Sequence, residues 1–361
     1  MRKINRPAEQ AQRSDLMRAL LAARASRDGK RISTRPLTES RIRRVNAVLS
    51  AALNEAVNVR HMIPISPAAG IFRSAGSRRG TRTKPLLWTA ERVEYWEQTG
   101  KMPAKVMTWT QAQAGSFLDF SEATGERLHA LFHIDIHYGL RRSELAGLER
   151  QDMSVGRRRV HIRQAQAGEE LDATKTASSD RQVIFDEQTA LILQAWERRQ
   201  REERMALGPA YADSGRYFTY EDGRALRPEY VSTRFNLLVA RYAAIRRRFY
   251  EEERAADWIA RRYRVPEDAV RIALAAPLPP LNFHGVRHGA ATMLMTAKVP
   301  DKVVSEILGH ASTSFTKDVY TVVAEELAEE AARAISAFVP RRSRASGSRT
   351  FGPTMGQQEA R

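Results

Sequence analysis

The sequence predicts a mainly α-helical protein with a small antiparallel β-sheet, arranged as an all-α N-terminal region followed by a larger α+β domain. Two observations carry that prediction. Most segments space their apolar residues three to four apart, as the buried face of a helix requires. Only two short runs, residues 158–165 and 181–185, have the character of strands, and a polar, turn-rich stretch separates them. With 361 residues and 42% apolar content, the chain can bury a core in two domains or in one large one.

Residues 8–24 and 38–61 read as amphipathic helices, the second with Thr38 as its cap. Arg41, Arg43 and Arg44 face away from its apolar stripe. Such a run is by default a solvated face, but in a strongly basic chain it suits a nucleic-acid backbone equally well. From 64 to 105 the pattern breaks into Pro, Gly, Ser and basic residues, including Arg78 and Arg79. This reads as a basic linker able to follow a phosphate backbone.

Helical spacing resumes over 116–138 and, after the two strands, over 187–205, 227–241, 287–297, 301–308 and 324–338. Between 244 and 280, residues 255–271 read as helix, short turn, helix. That pair is either a groove-reading helix-turn-helix or a charged hairpin that packs on the surface. The tail from 340 to 361 is too polar and broken to fold alone.

A formal net charge of +17 points to a polyanion as partner, because neutralised phosphates release counterions and add affinity that is independent of sequence. No apolar stretch has the length of a membrane span, and the first ten residues lack the apolar centre of a signal peptide, so a cytoplasmic, nucleoid-associated protein is expected. Without cysteine the chain has no disulfide, thiolate metal site or cysteine nucleophile, which leaves oxygen and histidine chemistry. All but nine of its 59 basic residues are Arg, which fits both phosphate clamping and a high-GC coding bias and makes each Lys informative. His129, His133 and His137 sit four apart on a helix, but no carboxylate motif accompanies them. They read, like His161, as packing or surface residues.

Three distant segments concentrate residues suited to a phosphodiester. They are Gly139-Leu140-Arg141-Arg142-Ser143-Glu144-Leu145, then His284-Gly285-Val286-Arg287-His288, then Leu308-Gly309-His310 followed by Tyr320. In-line attack on a phosphodiester builds negative charge on the non-bridging oxygens, so two fixed guanidinium groups, Arg141 and Arg287, stabilise the transition state more than the ground state. On a helix, His284 lies on the same face as Arg287 and is a candidate acceptor for a tyrosine proton.

In order and spacing these segments resemble the tyrosine recombinases of the phage integrase family, with the likeness running from about Thr38 to Val339. The stretches Pro85-Leu86-Leu87-Trp88-Thr89 and Val106-Met107-Thr108-Trp109-Thr110 look most like integrases of mobile elements in high-GC bacteria. The resemblance implies a partial helical core-type DNA-binding domain over 1–63 and a catalytic domain over 106–339. It implies Tyr320 as the nucleophile forming a 3′-phosphotyrosyl link, with neither metal nor ATP, and His310 as a hydrogen-bonding group beside the scissile phosphate. Glu144 would hold an arginine in place, and His288 would support the site. Lys175, the only lysine between Met107 and Ala297, would protonate the departing 5′-oxygen, a task arginine cannot perform because it holds its proton too tightly.

The partners so implied are double-stranded DNA, a homotetramer on synapsed DNA, a neighbouring protomer for the helix at 324–338, and an accessory factor for excision. Relative to the family pattern the chain starts inside the core-binding domain, carries the extra 244–280 segment, and has Val286 where Leu is commoner. A catalytically inactive DNA-binding relic and a type IB topoisomerase-like enzyme share the same residues.

Overall fold

The computed structural model describes residues 18, 38–68, 85–167, 170–173 and 180–309, those at 164–167 and 170–173 as backbone only. Most of the 8–24 helix, Arg78, Arg79, Lys175, His310, Tyr320, the 324–338 helix and the tail lie outside the described residues. The chain divides into two compact units, Met1–Thr81 and Arg82–Arg361.

In the first unit, α1 spans Glu39–Asn58. Thr38 takes the N-cap position, but its side chain makes no capping hydrogen bond. Arg41, Arg43 and Arg44 are exposed, and so are Ile42, Val45 and Leu49 of the apolar stripe.

The second unit opens with β1 (Leu86–Leu87), α2 (Ala90–Thr99) and β2 (Met107–Thr108), the two strands pairing in parallel. Residues 85–105 are therefore a folded part of this unit rather than linker. The reason is apolar content that the basic composition masks. Trp88 is completely buried and donates its indole N–H to the Pro280 carbonyl at 3.1 Å, and the buried Trp109 does the same to Pro279 at 2.8 Å.

The helix expected over 116–138 is two helices, α3 (Gln111–Ala123) and α4 (His129–Tyr138). α3 starts one turn earlier than expected because Thr110 and Gln113 form a reciprocal capping box. The break falls at Gly125, which adopts a left-handed conformation, φ +64°. Helix α5 (Arg142–Gly147) follows, then β3 (Met153–Ser154), β4 (Arg159–Ile162), the hairpin β5 (Gln164–Ala167) and β6 (Glu170–Ala173), and β7 (Arg181–Ile184). β4 pairs antiparallel with both β3 and β7, so the two strand segments foreseen in the sequence form one small antiparallel sheet.

The remaining elements are α6 (Glu187–Leu207), α7 (Pro228–Tyr250), α8 (Ala256–Tyr263), α9 (Glu267–Ala275), α10 (Phe283–Thr296) and α11 (Asp301–Leu308). The core is an aromatic stack in which Phe117, Phe132, Phe235 and Trp109 meet with ring centroids 4.9 to 5.9 Å apart. The extra segment does form two helices, but Ile259, Ala269, Val270 and Ala273 are buried and α9 packs on α3 and α7. Its first turn carries Glu267 and Asp268, which repel phosphate, so the packed hairpin describes this segment better than a groove-reading helix.

Candidate active site

The first two chemistry-bearing segments and the described part of the third, Leu308 and Gly309, meet at the C-terminal ends of α4 and α11 and the first two turns of α10. Gly139 caps α4 with φ +62°, and a Cβ there would lie 2.6 Å from Leu308 Cδ2 and 3.0 Å from Ala290 Cβ. Only glycine permits this approach of α4 to α10 and α11. On α10, Gly285 and Gly289 serve the same end against β2, where an added Cβ would lie 3.0 Å from the Met107 carbonyl and 2.8 Å from the Thr108 hydroxyl, respectively.

Arg287 is drawn inward by this packing and is 5% exposed. Its guanidinium donates to the main-chain oxygens of Gly139 and Leu308. Burial, and then the neighbouring charge of Arg141, push its pKa down to about 10, which leaves it protonated at neutral pH.

Arg141 stands at the N-cap of α5, half exposed. Its guanidinium donates to Glu144 Oε1 at 2.5 Å and to the Gly309 carbonyl at 2.8 Å, and its backbone N–H to Glu144 Oε2 at 2.9 Å. Glu144 is 1% exposed, and both its oxygens also receive Arg181, at 3.2 and 2.8 Å. Burial alone would raise this carboxyl. The hydrogen bonds and charge of Arg181, followed by those of Arg141, outweigh it and hold the group below the usual carboxylate range. Two guanidinium groups thus share one ionised carboxylate, and Arg287 adds a third positive charge nearby, an excess suited to a phosphate whose charge grows in the transition state.

His284, in the first turn of α10, is exposed as a residue, yet its partly desolvated ring and the charges of Arg287, Arg141 and Arg142 lower its pKa. It is therefore neutral at pH 7 and able to accept a proton. The His288 ring lies 5.0 Å from it at 84° and is pushed down to about 4 by burial, His284 and Arg287.

The sequence reading did not single out two residues of this neighbourhood. Arg181 had a readable signal: on β7 it shares the inward phase with Val183, where an apolar residue is the rule. Asp135 on α4 is fully buried, and neither carboxyl oxygen has a hydrogen-bond partner. Burial raises its pKa well above the usual range against the opposing pull of Arg287. The only sign of it in the sequence is one acid inside an apolar helix.

His133 donates to or accepts from the Thr189 hydroxyl at 3.0 Å and stacks on His137, so these rings serve packing. Among the described residues no group of histidines and carboxylates is arranged to hold a metal, and no helix is long and apolar enough to cross a membrane.

Comparison with known proteins agrees with this architecture. The chain is 29% identical over 215 residues to a tyrosine recombinase XerC-like protein of Caldanaerobacter subterraneus subsp. tengcongensis, a match covering 55% of this chain and 46% of the relative. The chain thus spans about half the length of that curated relative. Its fold is similar to that of the Tn1549 transposon integrase solved in complex with a circular intermediate DNA, with a TM-score of 0.50, 19% identity, and coverage of 81% of this chain and 80% of that one. Residues 260–326, which include His284, Arg287 and the Tyr320 segment, match the phage integrase family.

Proposed function

We propose that this protein cleaves and rejoins DNA at specific sites, with Tyr320 as the covalent nucleophile, in the integration or excision of a mobile element. The observation that carries the reading is the convergence of Arg141 and Arg287 on the carbonyls of residues 139, 308 and 309, directly before His310. Tyr320 Oη attacks phosphorus while neutral His284 accepts the phenol proton. Arg141 and Arg287 take up the charge developing on the non-bridging oxygens, and His310 hydrogen-bonds one of them. The P–O5′ bond breaks, Lys175 protonates the leaving 5′-oxygen, and a 3′-phosphotyrosyl ester remains. Attack of a 5′-hydroxyl on that ester reverses each transfer, so the bond energy is conserved and no ATP is consumed.

The basic charge supports double-stranded DNA as substrate, contacted by Arg41, Arg43, Arg44, Arg78 and Arg79 as well as by the site. A homotetramer on two synapsed duplexes and an accessory factor for excision complete the proposed assembly. The test is a nicked suicide duplex. The wild type is expected to form a covalent adduct and Tyr320→Phe none, at nearly unchanged DNA affinity. Adduct in the variant, or none in the wild type, overturns the reading. Recombinant junctions from paired duplexes, without relaxation by the isolated protomer, distinguish recombinase from topoisomerase.

A further inference from the structure

We infer that Arg181 is a positioning residue for strand cleavage, holding both side-chain anchors of Arg141 in place. This rests on the reading that Arg141 acts on a phosphodiester. Arg141 is fixed by Glu144 and by the Gly309 carbonyl, and Arg181 touches each of them. It donates two N–H groups to the two oxygens of Glu144, at 3.2 and 2.8 Å. Its guanidinium also lies so close to Gly309 that a Cβ there would sit 2.6 Å from Nη1 and 2.8 Å from Cζ. Its Nε–H reaches the Ile307 carbonyl at 2.7 Å, which secures the end of α11 just before that glycine.

The geometry requires arginine. One planar group supplies three directed donors, two to a carboxylate and one to a carbonyl, whereas an ammonium is a compact point charge. Glu144 is 1% exposed and takes four hydrogen bonds, two from Arg181 and two from Arg141. Without Arg181 that buried carboxylate is left with Arg141 alone and draws its guanidinium inward, away from an incoming phosphate, while the turn at Gly309 loses its backing. Arg181 spends its directed bonds on Glu144 and the Ile307 carbonyl rather than on the open face where Arg141 is half exposed, so it acts through these neighbours.

Adduct formation by the full chain on the nicked duplex, under single-turnover conditions, tests this. Arg181→Lys is expected to slow it about 10- to 100-fold, as a misplacement on the order of 1 Å does, with DNA affinity changed less than about twofold. Two further readouts separate positioning from a general folding defect. On a duplex whose scissile phosphate is a neutral methylphosphonate, the demand for the Arg141 charge falls, so the defects of Arg181→Lys and of Arg141→Ala should both shrink to within about threefold of wild type. The double variant Arg141→Ala/Arg181→Lys should be no slower than Arg141→Ala alone, because both changes disable the same group.

Wild-type cleavage by Arg181→Lys, an equal slowing on both substrates, or multiplying effects in the double variant overturns the inference. Arg181→Gln, which keeps donors without the charge, carries the same comparison if the Lys variant melts early. A wild type that forms no adduct removes this inference together with the reading it rests on. A wild type that forms adduct beside a multiplicative cycle removes the inference alone.

Discussion

Replacing Gly139 with alanine tests how tightly the site depends on the packing of α4 against α10 and α11. The backbone at this position has φ +62°, a left-handed conformation that costs an L-residue about 1–2 kcal/mol. The new methyl would also stand 2.6 Å from Leu308 Cδ2 and 3.0 Å from Ala290 Cβ. Carbon atoms prefer about 3.5–4.0 Å, and overpacking of this kind costs about 1–3 kcal/mol. Together the two effects amount to roughly 2–5 kcal/mol, a large part of the 5–15 kcal/mol by which a domain is stable. At roughly 2–4 °C per kcal/mol for a unit of this size, the expected fall in Tm is about 4–20 °C by calorimetry or circular dichroism. Gly115→Ala is the control. An added Cβ there meets nothing within 4 Å and lies inside α3, so it should gain about 0.5–1 kcal/mol. A Gly139→Ala protein that melts within a degree of wild type would refute the reasoning, because neither the conformation nor the contact would then matter.

Arg141→Ala and Arg287→Ala should each lower adduct formation by a factor on the order of 10² or more while DNA binding persists, and unchanged cleavage in either would place the phosphate clamp elsewhere. Lys175→Arg should lose cleavage on an ordinary duplex and recover on one whose bridging 5′-oxygen is sulfur, a leaving group that needs no proton; a mutant slow on both only positions DNA. Asp135→Asn should flatten the pH dependence of Tm. The folded-state pKa of Asp135 is raised, so its contribution to stability is complete below the ordinary carboxylate range and is lost as pH rises through the folded value. Melting curves from pH 4 to 9 that run parallel for variant and wild type would contradict this.

Much of the fold was legible because helical periodicity survives in a basic chain. The helices at 187–207, 283–296 and 301–308 come close to the spans read from spacing alone. The misreadings have particular causes. Residues 85–105 looked like linker because the Lys and Gly around Trp88 and Val93 mask buried anchors, of which Trp88 finds its partner at Pro280, far away in the chain. The break at Gly125 was missed because the apolar period runs through it. At the site, Arg141, Glu144, His284 and Arg287 could be named from their order, since each carries a chemistry recognisable in one residue. Arg181 and Asp135 left only a charged residue in an apolar phase, a sign of burial but not of role, because their significance lies in what the fold sets beside them: a shared carboxylate for one, and an unpartnered burial near Arg287 for the other.

The two acceptors of Arg287 named above are main-chain oxygens, and every amino acid at positions 139 and 308 would supply the same atoms. These two bonds are therefore insulated from drift in the side chains at 139 and 308. In a saturation library selected for cleavage, position 308 should accept several apolar residues and position 287 none but Arg, while 139 should be restricted by its dihedral angle rather than by its chemistry. Such a pattern lets the surrounding sequence diverge widely while the position of the Arg287 guanidinium stays fixed.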